Sequence, residues 1–270
     1  MKAARRLLVV LAVVAAWPAL AVQDGVSNYQ GPAAEQFLRK GRIVATENAR
    51  EGVTQSKIVT VEYNGAKHQG LFKTIDESKA GATTFANGSG EIGFQDSWQT
   101  EIAAYQVDVI IGLGLVPATI ERRIGAVGSV QWFVDYKMKE AERIEKKIVP
   151  PDLETWNRAM LKVRLFDQLI ANVDRHLKNI LVTETFEVRL IDHSRSFRIN
   201  RELTRPQDLT RFSKSLLEGI QRLEKKDLKK KVGKYLLAGQ IDRLLQRRDA
   251  ILALAKKLVA ERGEAAVIYP

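Results

Sequence analysis

The chain has no cysteine. This excludes disulfides, thiolate metal centres, a cysteine nucleophile and a lipid-modified cysteine behind an export signal. An exported form is then held together by its core alone. The N-terminal apolar run, Leu7 to Ala16, is shorter than the ~20 residues a spanning helix needs, and Trp17-Pro18 closes it. No stretch interleaves basic with aromatic side chains as a single-strand nucleic-acid platform does, so nucleic acid is not an expected partner. A nucleophile elbow and a Ser-His-Asp order are also missing, which leaves acyl transfer without support.

What is present bounds the chain further. Its 270 residues, 45% hydrophobic and 28% charged, suffice for one substantial core or two small lobes sharing a cleft. Lys2, Arg5 and Arg6 precede the apolar run and Ala19-Leu20-Ala21 follows it, so residues 1–21 read as a signal peptide, with no stable membrane span once it is cleaved. The product is exported to a periplasm, a secretory-pathway lumen or the outside. Loss of those three cations lowers the formal charge from +11 to +8. A basic surface suits phosphates, anionic headgroups or acidic peptides, as it suits plain solubility. Residues 22–32 read as a linker containing Gly25, Gly31 and Pro32, with the domain starting near Ala33.

The texture then changes along the chain. Residues 33–134 carry short β-branched runs between turn residues, and residues 135–270 become almost entirely helical after Pro151. The reading is therefore α+β, with a β-rich N-lobe and a mainly helical C-lobe. Lys57 to Tyr63 alternates and ends in Asn64-Gly65, a strong hairpin signal before a strand reaching Ile75. Ile43 to Thr46 is expected to pair with it through a turn at Glu51-Gly52-Val53-Thr54. Glu101 to Leu113 reads as a helix stopped by Gly112 and Gly114, and Gly128 to Val134 as a strand. Asp152 is a candidate N-cap for a helix running towards Asn172, before two short strands near Ile180–Thr183 and Glu187–Ile191. Apolar spacing predicts three further helices around Leu216–Leu223, Leu236–Leu245 and Ile251–Leu258, with Lys225 to Lys234 a solvated helix face or loop.

Chemistry concentrates in Asn172-Val173-Asp174-Arg175-His176-Leu177-Lys178-Asn179 and, beyond the strand pair, Leu190-Ile191-Asp192-His193-Ser194. Phosphoryl transfer needs a carboxylate to orient the acceptor and oxygen ligands to hold magnesium against phosphates. Asp174, Asn179 and Asp192 supply those functions: the Asp-x4-Asn spacing puts two on one loop, and Asp192 leaves the next strand at the same edge. Oxygen-only ligands suit Mg²⁺ or Mn²⁺ rather than zinc. Taken singly, each residue has a plainer role. Asp174 and Asn179 are good turn and cap residues, Lys73 fits an exposed strand lysine, and Glu101 a first-turn glutamate. His176 and His193 as metal ligands beside Asp174 and Asp192 would make a hydrolase, although neighbouring strand residues point to opposite faces; His176 is expected to pack beneath its loop.

Asp174-Arg175-His176 with Asn179, and Ile191-Asp192-His193, resemble the catalytic and metal-binding loops of phosphatidylinositol 3- and 4-kinases, and more loosely those of HipA-type and Fam20-type atypical kinases. The resemblance implies a two-lobed protein-kinase-like fold, with Asp174 as catalytic base and Asn179 and Asp192 as metal ligands. It also implies a phosphate-facing lysine paired with a helix glutamate, positions that Lys73 and Glu101 fill. Gly52 falls in the turn over the phosphates, and Gln131 to Val134 lies at the nucleotide hinge. ATP with Mg²⁺ or Mn²⁺ follows as cofactor set and an ATP-dependent phosphotransferase as the function, acting on a protein, lipid or small-molecule hydroxyl. The departures are His193 where many kinases have Phe before Gly, the missing glycine-rich loop, and the absence of an Ala-Pro-Glu segment. They keep a non-catalytic nucleotide-binding module, or an AMP transferase, as alternatives. Arg195, Arg198, Arg201 and Arg205 stand on the short loop after Asp192, where guanidinium groups can hold an anionic substrate or simply face solvent.

Overall fold

The computed structural model describes residues 29–49, 56–84 and 90–270. The expected signal segment, most of the linker and the turn holding Gly52 lie outside the described residues. Helix α1 (Gly31–Lys40) carries Pro32 in its first turn, where a fixed φ and a missing N–H cost nothing, so it begins two residues ahead of the expected domain start. Phe37 and Leu38 of α1 are buried against the N-terminal sheet.

That sheet starts as a meander of β1 (Arg42–Asn48), β2 (Lys57–Tyr63) and β3 (Ala66–Lys73), paired antiparallel. Asn64 and Gly65 take φ values of 50° and 79°, the left-handed pair that a two-residue hairpin turn requires. Val59 and Val61, on one face of β2, are fully buried. Strand β3 stops at Lys73 rather than Ile75, because Asp76 already opens β4 (Asp76–Thr84), which pairs only with β5 (Gly90–Ser97). This ribbon was not anticipated, since its Gly, Ser and Thr content lacks the apolar alternation that marks a half-buried strand. Ser97 then accepts from the Gln99 N–H and starts α2 (Trp98–Ile111) almost a turn before Glu101, where the apolar periodicity alone placed it. Strands β6 (Thr119–Ile124) and β7 (Ala126–Trp132) complete the sheet in the order β1-β2-β3-β7-β6. The charged run Glu121-Arg122-Arg123 hides β6 from a hydropathy reading.

The second part opens with β8 (Met138–Lys139), α3 (Glu140–Glu145) and α4 (Leu153–Ile170). Asp152 caps α4 as expected, accepting from the Glu154 and Thr155 N–H groups. A three-stranded sheet of β8, β9 (Ile180–Val182) and β10 (Val188–Leu190) lies at the junction. The remainder is β11 (Phe212–Ser213), α5 (Lys214–Gln221), α6 (Lys225–Val232), α7 (Ala238–Arg262), α8 (Glu264–Val267) and β12 (Ile268–Tyr269). The last two expected helices are one: α7 runs unbroken because no Gly, Pro or cap interrupts Gln240 to Lys256. The Lys-rich stretch forms α6, with Leu228 and Val232 buried and its lysines outside.

The architecture is α+β and two-lobed, as the change of texture predicts, and one continuous core joins sheet and helices. The Leu190 N–H donates across the junction to the Leu115 carbonyl at 2.9 Å, and the Ser97 N–H to that of Ser194 at 2.9 Å. Among the described residues no helix is long and apolar enough to cross a membrane.

Strand β7 approaches the end of β3 so closely that a Cβ at Gly128 would stand 2.2 Å from the Lys73 carbonyl oxygen and 2.8 Å from the Phe72 ring. Gly128→Ala is therefore expected to destabilise the fold by about 1–3 kcal/mol and to displace Lys73. Urea unfolding measures the first, and a crystal structure of the variant the second.

Candidate active site

The sheet, α2 and the segment after β10 each deliver one charged group to the same point. Lys73, at the end of β3, places Nζ 2.5 Å from Glu101 Oε1 and 2.8 Å from Asp192 Oδ1. Glu101 is 2% exposed, and its second oxygen accepts the His193 N–H at 2.9 Å. One carboxylate thus ties α2 to the sheet and to the Asp192 segment. Burial by itself would disfavour both charges, yet each holds the other ionised. The lysine pKa is raised by Glu101 and then Asp192, and the glutamate pKa is depressed chiefly by Lys73.

Asp192 has φ 61°, a left-handed backbone uncommon for a side-chain-bearing residue and best tolerated by Asp and Asn. The bend sends Asp192 and His193 apart. Asp192 Oδ2 meets Asn179 Nδ2 at 3.3 Å, while the His193 ring is fully buried edge-on against Phe166. Burial, and then Arg175, keep that imidazole neutral. His193 accordingly does not converge with Asp192, and among the described residues no group of three His, Cys, Asp or Glu is placed to hold a metal. The hydrolase alternative loses its ligands.

What remains fits a hard cation that shares its shell with phosphate and water. Asp192 and Asn179 offer oxygen donors once the amide presents Oδ1, and Mg²⁺ characteristically takes only one or two protein ligands beside a nucleotide. Asp96 Oδ1, buried beside them without a hydrogen-bond partner, adds negative potential.

Asp174 stands on the loop between α4 and β9. Its Oδ1 is 2.7 Å from His176 Nε2 and its Oδ2 is 3.3 Å from the Arg195 guanidinium. His176 does not pack beneath the loop as expected; its side chain is 70% exposed. The bracing falls instead to Arg175, which pairs with Asp167 at 3.1 Å and donates to the Asn179 carbonyl at 3.2 Å and the Ile191 carbonyl at 2.7 Å. Arg175 therefore fixes Asp174, Asn179 and Asp192 at one edge. Its only signal in the sequence was an arginine inside the Asp-x4-Asn interval.

A cavity of about 480 Å³ opens beside this group. Gln131 and Val134, named for the hinge, line it, and Ile58, Leu71, Leu181 and Ile191 supply apolar walls that sequence reasoning missed. The Gln131 amide is engaged with Thr119 Oγ1 at 3.0 Å. Of the expected site residues, Lys73, Glu101, Asn179 and Asp192 meet directly, Asp174 pairs instead with His176 and Arg195, and Gln131 and Val134 border the cavity; Gly52 lies outside the described residues.

Two groups of solved structures match this arrangement of lobes. The structure of hydra Fam20 with sugar superposes with a TM-score of 0.65, covering 92% of this chain and 93% of that one at 14% identity. The Golgi casein kinase, in a structure with Mn and ADP bound and in another, gives 0.61 over 87% of this chain and 78% of that one, also at 14% identity. The fold is that of the Fam20-type kinases. These structures support that kinase-like fold and not the phosphoinositide kinases specifically. No family model matches the chain, and no curated protein matches its sequence.

Removing Lys73 leaves Glu101 charged and buried. Lys73→Met should cost about 3–5 kcal/mol, and adding Glu101→Gln should recover much of it. Because folding depresses the Glu101 pKa, its contribution is complete above the ordinary carboxylate range and is lost progressively as pH falls below that range towards the depressed folded-state value. Denaturant titrations between neutral and acid pH should show that loss in the wild type and a flatter profile in Glu101→Gln.

Proposed function

We propose that the chain is an exported ATP-dependent phosphotransferase that moves the γ-phosphoryl group of ATP to a hydroxyl acceptor. The observation that carries the reading is the assembled Lys73–Glu101–Asp192 group, with Asn179 on the Asp192 carboxylate and Asp174 on the loop that Arg175 braces against it. A structural ion pair needs only two partners. Here a buried lysine is held between two carboxylates, one of them beside an amide, and Leu71 and Ile191, next to this group in the chain, line a cavity large enough for a nucleoside.

In this reading the apolar walls take the base and Lys73 takes the α/β-phosphates, with Glu101 fixing its ammonium. Asn179 and Asp192 hold Mg²⁺ or Mn²⁺. The cation neutralises phosphate charge when bound. Asp174 orients the acceptor hydroxyl and takes its proton as the oxygen attacks. The solved Golgi casein kinase with Mn and ADP bound lends support by fold. The Lys-Arg leader and small-residue cleavage site of residues 1–21 support export.

Thermal-shift titration with ATP and Mn²⁺ tests the site. The wild type should be stabilised in proportion to the logarithm of ligand concentration once binding saturates, and Asp192→Ala should lose the metal-dependent part. A folded wild type that shows no shift at millimolar ATP would overturn the assignment. With binding established, ATP labelled at the γ- or α-phosphate separates the chemistries: transfer of γ label marks a kinase, α label an AMP transferase, and neither a binding module.

A further inference from the structure

We propose that Arg195 is a catalytic cation of the transfer step, facing the phosphoryl group in flight, and that Phe94 of the β4–β5 ribbon is its positioning residue. The inference rests on the kinase reading above and adds a residue to it. Arg195 follows Asp192 by three residues, and its guanidinium reaches back to 3.3 Å from Asp174 Oδ2. It therefore stands at the proposed acceptor-orienting carboxylate, three residues along the chain from the proposed metal ligand, and in the kinase reading the transferring group passes between those two. Lys73 is already committed, because Glu101 and Asp192 hold its ammonium at 2.5 and 2.8 Å.

The guanidinium is also held in place. Its Cζ lies 5.4 Å from the centroid of the Phe94 ring, and the side chain is only 21% exposed. Lys79 reaches the same ring at 5.9 Å. This accounts for the ribbon between β3 and α2: β5 delivers an aromatic face to the mouth of the site, and Gln95 next to it meets Gln240 of α7 at 3.0 Å. The ring face and the Asp174 carboxylate together hold the guanidinium in its aim.

The step balances as follows. The acceptor oxygen forms a bond to the γ-phosphorus while the bond to the β–γ bridging oxygen breaks, the electron pair leaves with ADP, and the acceptor proton passes to Asp174. Negative charge stays on the three equatorial oxygens throughout, and a planar guanidinium presents two N–H donors to such oxygens at once. At rest Arg195 pairs with Asp174; with the phosphoryl group present, it exchanges one anion for another.

The test uses ADP with Mg²⁺, alone and with aluminium fluoride, which mimics a phosphoryl group in flight. Wild type should gain a thermal shift with ADP and a further shift with fluoride. Arg195→Ala should keep the first and lose the second, and Arg195→Lys should retain part of it. Phe94→Ala should lessen the fluoride gain while leaving the ADP shift intact. ADP release from ATP by Arg195→Ala should fall about 10²–10³-fold with little change in KM for ATP. A wild type without a fluoride gain, or an Arg195→Ala variant with the full gain, overturns the proposal. A faster Arg195→Ala does so too, making Arg195 a plug on the acceptor seat. A wild type with no ADP shift instead sinks the kinase reading, and this inference with it.

Discussion

The buried Glu101 carboxylate is the constraint on which the site depends. Its two oxygens are committed in opposite directions, one to Lys73 on the sheet and one to the His193 N–H behind Asp192. A carboxylate 2% exposed would be costly alone, so the lysine and the backbone donor must both be present whenever the helix is seated. Helix α2 is locked further by Thr100, whose hydroxyl donates to the Ser97 and Ser194 carbonyls. The N-terminal lobe is thus registered against the Asp192 segment by charge and hydrogen bonds as well as by packing.

A chain without cysteine has to pin its loops by other means, and here arginine does much of it. Arg175 joins the Asp174 loop to β10, and Arg247, fully buried in α7, donates to the carbonyls of Leu169, Arg198 and Asn200. Arg122 holds the Leu38 and Gly41 carbonyls at the end of α1, and Arg248 that of Leu223. Each guanidinium satisfies carbonyls that a loop would otherwise leave exposed or orphaned, and several point to the segments on either side of Asp192. Part of the large basic content is therefore internal bracing. The outward lysines of α6 belong to the remainder.

Much of this was legible in advance where a local physical signal was strong. The Asn-Gly turn, the Asp152 cap, the Asp-x4-Asn loop and the strand leading to Asp192 all follow from residue chemistry within a few positions. The lost elements lacked such a signal. The β4–β5 ribbon has little to bury, β6 is masked by charge, and α7 was divided because its apolar spacing slackens between Leu245 and Ile251. Among site residues, Lys73 and Glu101 were reached only through the kinase resemblance, since either alone reads as a surface residue. Arg175, Phe94 and the pairing of Arg195 with Asp174 depend on contacts between segments distant in the chain, which no window of sequence displays.

The central claim is that Asp192 and Asn179 hold a divalent cation against the phosphates of a nucleotide bound beside Lys73. Electron–nuclear double resonance of the wild-type protein with Mn²⁺ and ADP reads that directly. Phosphorus couplings to protein-bound manganese, abolished in Asp192→Ala, are the predicted result. Manganese that binds without phosphorus coupling, or that survives the substitution unchanged, would contradict the account.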